Sequence, residues 1–368
     1  MKNIRYELLN RENNVNLPPE LGFGQIFTDH VFEMDYSPEK GWHNSVIKPL
    51  SQLSVHPAAM FIHYGQAAFE GMKAFKTDNN QVLLFRPERH FIRLNNSAKR
   101  LCMPEVDIDF AIHALKELVS IERHWIPTRK GEALYIRPFL FALDTQLGVR
   151  PSRTYKFIIL LTPVGAYYPE GFKPVKILVQ DEYVRTVRKG MGECKTPGNY
   201  AASLLAAEIA RKEGYTQVLW LDGVEQKYIE EVGTMNIFIH LKDEVVTPKL
   251  TGGILHGVTR ASVIHLLRDW GLTVNERLIS IDELIQQYHN GNVMGVFGTG
   301  TAAVISSVGE IKYNNELLKF NDGEPEELAI KLFDEMLNFQ YGRIPDRFGW
   351  TQHERIPGSD EERENDHQ

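Results

Sequence analysis

The chain has 368 residues, 43% of them hydrophobic and 24% charged, with a formal net charge of -7. That length asks for two cores rather than one, in the balance of a soluble globular protein. The negative charge, with no block of Lys and Arg, speaks against nucleic acid as a partner. The longest apolar runs, such as Phe157–Leu161, fall far short of the ~20 residues that span a bilayer. The first residues have no apolar h-region and carry acids, so they read as neither a signal peptide nor a transit peptide. Cys102 and Cys194 are too few for a disulfide framework and read as free thiols of a reducing cytoplasm.

In chain order, Val82–Arg86 reads as a strand and Arg89–Met103 as a helix. Ile108–Arg123 is a clearer helix, with Phe110, Ala114, Leu115 and Leu118 on one stripe. Two β-rich runs follow, Ala133–Phe141 and Tyr155–Val164. The stretch 165–174, with two Gly, two Pro and two Tyr, reads as a linker. The expected organisation is a small N-terminal α/β domain over 1–165, an interdomain loop over 166–174 and a large C-terminal domain over 175–350. An acidic, disordered tail over 351–368 completes it.

The second half alternates more regularly. Val175–Gln180 is a strand, followed by a Gly-containing loop that ends at Gly198 and a helix from an Asn199 N-cap to Gly214. Gln217–Leu221 and Met235–Leu241 are strands, and Thr259–Trp270 is a helix closed by Gly271. Ser280 and Glu283 form a capping box that opens a helix stopping at Gly291, and Glu324–Gln340 is the last helix.

Four segments carry candidate chemistry. The loop Lys189–Tyr200 holds three glycines and two lysines, Lys189 and Lys195. Lysine condenses with an aldehyde only as the free amine, which desolvation or a neighbouring cation favours, and a glycine-rich frame lets a cofactor lie against the backbone. Second, Glu230 and Glu231 sit in a β-rich run, where alternation turns one to solvent and the other inward. An inward carboxylate needs a partner: a protonated pyridine nitrogen or, equally, an Arg or Lys. Third, the turn Gly253–Gly257 feeds a helix whose free N–H groups suit a phosphate. Fourth, Val296–Ala303 imitates a dinucleotide fingerprint, but Ala303–Val308 reads as a strand, so a Thr-rich turn donating to an anion is the better reading. Metal-ligand spacings and a G-x-S-x-G elbow are absent from the sequence.

In this order, the segments resemble the branched-chain aminotransferases, pyridoxal-phosphate enzymes of fold type IV. The resemblance runs through FTDH (Phe27–His30), HYGQAAFEGMKAF (His63–Phe75), LFRPERHFIRL (Leu84–Leu94) and LYIRP (Leu134–Pro138). It continues through PVGAYYPEG, KTPGNYAAS, QVLWLDG, EEVGTMNIF, GVTR, FGTGTA and FQYGR, covering about residues 20–350. It implies a mixed α/β and α+β fold of two domains with pyridoxal 5'-phosphate between them.

The same resemblance implies roles. Lys195 would form the Schiff base with the cofactor and then shuttle the proton. Glu231 would hold the pyridine nitrogen protonated, and Tyr200 would bond the ring's phenolic oxygen. Arg93, Val258, Thr259 and Thr301 would hold the phosphate, with Arg185 and Thr234 also at the cofactor. Thr301 and Ala302 would present donors near the substrate α-carboxylate. Phe23, Tyr64, Phe69, Tyr135, Thr234 and Ala302 would form the substrate pocket, Arg137 would meet the distal carboxylate of glutamate, and Tyr167 would close over the substrate.

The implied reaction is a ping-pong transamination from leucine, isoleucine or valine to 2-oxoglutarate, by a cytoplasmic homodimer. Animal members carry a C-x-x-C pair where this chain has Ala303 and Ser306, so a thiol switch there is excluded. The rivals are a D-amino-acid aminotransferase or aminodeoxychorismate lyase of the same fold, and a catalytically silent relative. The first two usually lack the HYGQAAFEGMKAF and LYIRP segments; Lys195, Tyr200 and Glu231 argue against the third.

Overall fold

The β-branched and aromatic runs fold as strands and the amphipathic runs as helices, with ends set by local stereochemistry. The computed structural model describes residues 3–10, 15, 17–166 and 172–354. Its backbone divides into two units, Met1–Tyr167 with Leu337–Gln368, and Tyr168–Met336.

The first unit is built on a nine-stranded sheet. Its strands are β1 (Arg5–Tyr6), β2 (His30–Ser37), β3 (Gly41–Pro49), β4 (Ala67–Phe69), β5 (Met72–Lys76), β6 (Val82–Phe85), β7 (Ala133–Ala142) and β8 (Tyr155–Val164). They run in the order β1-β3-β2-β8-β7-β5-β6, with β4 on β7 and a C-terminal strand, Thr351–His353, on β6. Pairing is antiparallel except between β1 and β3. Three helices accompany the sheet: α1 (Met60–Tyr64), α2 (Pro87–Arg100) and α3 (Ile108–Ile121). Phe91 and Leu94 of α2 and Leu115 and Leu118 of α3 share one buried cluster with Phe157 and Ile159 of β8. Each such side chain contributes roughly 1.5–3 kcal/mol by leaving water. Helix α2 starts two residues before the expected Arg89, because Pro87 at its first turn has no N–H to leave unpaired.

The second unit contains a closed ring of strands. Its elements are β9 (Val175–Gln180), α4 (Pro197–Lys212), β10 (Gln217–Leu221), β11 (Ile229–Val232), β12 (Met235–Leu241), β13 (Val245–Pro248) and α5 (Val258–Asp269). Then follow β14 (Val274–Arg277), α6 (Ile281–His289), β15 (Val293–Gly300), β16 (Val304–Tyr313), β17 (Glu316–Lys319) and α7 (Glu327–Gln340). Pairings β9–β10–β11–β12–β15–β16 return to β9, so six strands close on themselves; β13, β14 and β17 are appended. Alternate residues fill one cluster, as the inner face of such a ring must: Ile177 and Val179, Leu219 and Leu221, Ile237 and Ile239. Trp220, on the opposite face of β10, packs with Ala206 and Ala210 of α4. Ser280 caps α6 as its spacing foretells, accepting the Glu283 N–H at 3.0 Å.

Several boundaries differ from expectation. The second unit ends at Met336 rather than 350, and the first, which gains the segment from Leu337, is not the smaller one. Long-range pairing is the reason: Thr351–His353 extends the sheet at β6, and the Tyr341 hydroxyl donates to the Glu132 carbonyl at 2.6 Å. The expected tail therefore begins as a strand, and 355–368 lie outside the described residues. The last helix starts at Glu327, not Glu324. Among the described residues no helix is long and apolar enough to cross a membrane.

Candidate active site

Lys195 lies directly before α4. Thr196 is extended and Pro197 opens the first turn, so the chain enters the helix abruptly. Asn199 is thus inside the helix and not its N-cap. Its amide instead donates to the carbonyls of Met191 (2.7 Å) and Cys194 (2.8 Å), tying the glycine-rich loop to the helix. Tyr200 then sits one turn in, and the Lys195 Nζ donates to its hydroxyl at 2.6 Å. Lys189 is exposed, in a turn at φ 63°.

Tyr200 lines a small cavity with Arg185, Glu231, Thr234, Leu255 and Asn199. Glu231 is 4% exposed and fully engaged. It faces the Arg185 Nε at 3.2 Å and accepts from the Leu255 N–H at 2.8 Å and the Asn236 amide at 3.4 Å. Asn236 escaped the sequence reading, yet its signal was present: the tight Gly233–Thr234 turn pairs Glu231 with Asn236 across the β11–β12 hairpin.

The expected division of the two acids fails. Glu230 is also buried, 3% exposed, because the register slips between Trp220 and Leu221. Trp220 opposes Glu231, but Leu221 opposes Ile229, which leaves Glu230 as the extra residue of a bulge. Strict alternation is lost there. Burial raises the Glu230 carboxyl to about 7 although the Arg185 charge opposes the rise, and its Oε2 has no hydrogen-bond partner.

The backbone around these groups is pressed close. A Cβ on Gly192 would strike the Gly253 carbonyl, and one on Gly253 would strike Glu230. That same Gly253 carbonyl accepts from Arg185 and from the Thr186 hydroxyl. Gly257 is the N-cap of α5, with no side-chain cap, and a Cβ there would strike the Asn236 Oδ1. Val258 and Thr259, the first helical residues, are buried. Thr301 and Ala302 form the turn between β15 and β16, which ends on Val304 at φ 63°, a strained conformation for a β-branched residue. Thr299, in register with Asn236, keeps a buried hydroxyl without a partner and lies within the Thr-containing segment Val296–Ala303.

In the first unit, four expected substrate residues come together. Phe23 meets Tyr135 edge-on at 4.9 Å between centroids. The Arg137 guanidinium lies over Phe69 at 4.9 Å and donates to the Tyr135 hydroxyl at 3.1 Å. Gly71 permits this, since a Cβ there would overlap that hydroxyl. Tyr64 instead donates to the Leu147 carbonyl. Arg93 grips Glu70 through Nε (2.6 Å) and Nη2 (2.9 Å), and His90 joins at 2.9 Å. Tyr167, with most of the expected interdomain loop, lies outside the described residues.

A buried acid, an amine bonded to a tyrosine and an uncapped helix start fit a phosphorylated pyridine cofactor. The family model described as Amino-transferase class IV matches residues 67–311, and the chain belongs to that family. The chain is 53% identical to "Branched-chain-amino-acid aminotransferase 2" of Bacillus subtilis (strain 168), over 95% of this chain and 96% of the relative. It is also similar in structure to the branched-chain amino acid aminotransferase of Escherichia coli, with a TM-score of 0.76 at 26% identity, covering 89% of this chain and 100% of the other. A second structural likeness is to a T.th. branched-chain amino acid aminotransferase with pyridoxamine 5'-phosphate. There the TM-score is 0.76 at 27% identity, covering 90% of this chain and 100% of the other. Within class IV, this chain falls among the branched-chain-amino-acid aminotransferases, of fold type IV.

Proposed function

We propose that the protein moves the amino group of leucine, isoleucine or valine to 2-oxoglutarate, using pyridoxal 5'-phosphate attached at Lys195. One observation carries the reading: Tyr200 and Glu231 line one cavity, with the Lys195 amine on the tyrosine hydroxyl and the acid among fixed donors. When bound, the cofactor supplies an aldehyde to carry the amino group and a ring to withdraw electrons.

The chain's own residues do the rest. Lys195 Nζ would hold the cofactor and, as a free amine, would take and return a proton at the substrate α-carbon. Tyr200 orients that amine. Glu231, held in place by Arg185, Leu255 and Asn236, would accept from a protonated ring nitrogen. Val258 and Thr259 offer helix-start N–H groups to the phosphate, and Thr301 adds a further donor. Thr301 and Ala302 donate to the substrate carboxylate, beside Thr234.

Phe23, Phe69 and Tyr135 stabilise an aliphatic side chain by burial, and Arg137 pairs with the distal carboxylate of glutamate. We place the enzyme in the cytoplasm, in keeping with Cys102 and Cys194 not being joined in a disulfide, and as a homodimer. Leu147 (68% exposed), Val149 (84%) and the adjoining Tyr64 supply apolar surface for a second copy.

Steady-state rates for a panel of 2-oxo acids with glutamate as donor test the reading. The branched acids should exceed pyruvate at least about tenfold in kcat/KM. Equal rates would remove the branched-chain assignment.

A further inference from the structure

The proposed role of Glu231 leaves a charge unaccounted for. Glu231 already faces the Arg185 guanidinium at 3.2 Å, both side chains being nearly excluded from solvent. A protonated ring nitrogen donating to the same carboxylate would put two buried cations on one anion. Uncompensated charge in such a place is costly, so a second anion is needed nearby.

The groups around Glu230 narrow the choice. The charges of Arg185 and Arg188, in the segment after β9, of Glu231 on its own strand and of Asp222 at the end of β10 act on it. Burial opposes the charge of Asp222, yet N–H groups of Val224, Glu225, Lys227 and Tyr228 hold it at about 2. Asp222 is therefore already ionised, and its charge is committed to those N–H groups and to Arg188, which lies 3.4 Å from it and 2.5 Å from Glu225. Glu230 differs. Its Oε2 is buried without a partner, and its carboxyl packs on Gly253, whose carbonyl Arg185 grips. The bulge in β11 is what brings it inside.

We propose that Glu230 is the switchable counter-charge of the site: it holds a proton until a protonated pyridine ring arrives, then releases it to solvent, so that Glu231 can serve Arg185 and the ring together. The step is a proton transfer only. The Glu230 O–H bond breaks, the carboxylate remains, and the ring keeps the proton it brought. Glu230 touches neither cofactor nor substrate; it acts through Glu231 and Arg185. The inference rests on the proposed contact between Glu231 and the ring nitrogen.

The test uses the full-length protein and pyridoxal phosphate labelled with ¹⁵N in the ring. In Glu230→Gln the midpoint for loss of the ring-nitrogen proton should fall by about one unit, and the cofactor dissociation constant should rise about tenfold. Calorimetry in buffers of differing ionisation enthalpy should show wild type releasing an extra proton on binding between about pH 6 and 8, and Glu230→Gln releasing none. A merely structural residue would alter stability and leave the ¹⁵N shift in place. Should the variant not fold, the wild-type proton count decides alone: no release across that range overturns the proposal.

An unchanged midpoint and proton count in Glu230→Gln also overturn it. Glu231→Gln separates the two roles. If it too leaves ring protonation unchanged, the proposed contact at Glu231 is wrong; if it alone shifts, only the counter-charge role falls.

Discussion

Two buried acid–arginine clusters of this chain use the same side chains to opposite ends. In the first unit Glu70 is wholly buried and saturated: Arg93 holds it at two points and His90 at a third. Burial opposes its charge, but the Arg93 charge and hydrogen bonds outweigh that and hold the carboxyl well below its usual range. In the second unit Arg185 pairs with Glu231, and Glu230 is left without such a pair and is pushed up to about 7 by burial, against the charges of Arg185 and Arg188. Complete pairing makes a strut. Incomplete pairing leaves a group whose charge depends on what else is bound, and such groups gather where chemistry is done.

The contrast can be broken at several points. The largest effect should come from Lys195→Ala, which should lower transamination at least about 10³-fold, measured as 2-oxo acid formed from leucine. Unfolding in denaturant should then show Glu70→Ala costing about 3–5 kcal/mol, because it strands the Arg93 charge in the core.

The two clusters should also respond to pH with opposite sign. The folded Glu70 binds its proton less readily than the unfolded chain, so its contribution is present above the ordinary value of 4.5 and is lost as pH falls below that value. The folded Glu230 binds its proton more readily, so its site weakens as pH rises from 4.5 through about 7. Glu230→Gln should therefore be more stable than wild type by about 1–3 kcal/mol at pH 8 and equal to it near pH 4, as followed by thermal unfolding without cofactor. The smallest effect should come from Arg137→Met, raising KM for glutamate about tenfold and leaving KM for leucine nearly unchanged.

The sequence foretold elements wherever local rules act alone. Val175–Gln180 and Gln217–Leu221 are apolar enough to be strands in any setting, and Ser280 needs only Glu283 to start a helix. Asn199 misled because it is a good cap in isolation; Pro197, better placed at a first turn, decided the boundary. The bulge at Glu230 was beyond local reading, since it depends on register against Leu221. So was the return of Thr351–His353 to β6, a pairing across most of the chain. At the site, the resemblance named Lys195, Tyr200 and Glu231 as candidates and the Gly233–Thr234 turn signals the pairing of Asn236 with Glu231, whereas the place of Thr299 beside Asn236 emerges only when β12 and β15 lie side by side.

The mechanism stands on the Lys195 amine being the one that takes up the cofactor. Borohydride reduction of the loaded enzyme, followed by peptide mass spectrometry, tests this directly. A phosphopyridoxyl group is predicted on the peptide containing Lys195, with none on Lys189. The group on Lys189, or on no lysine of that loop, would contradict it.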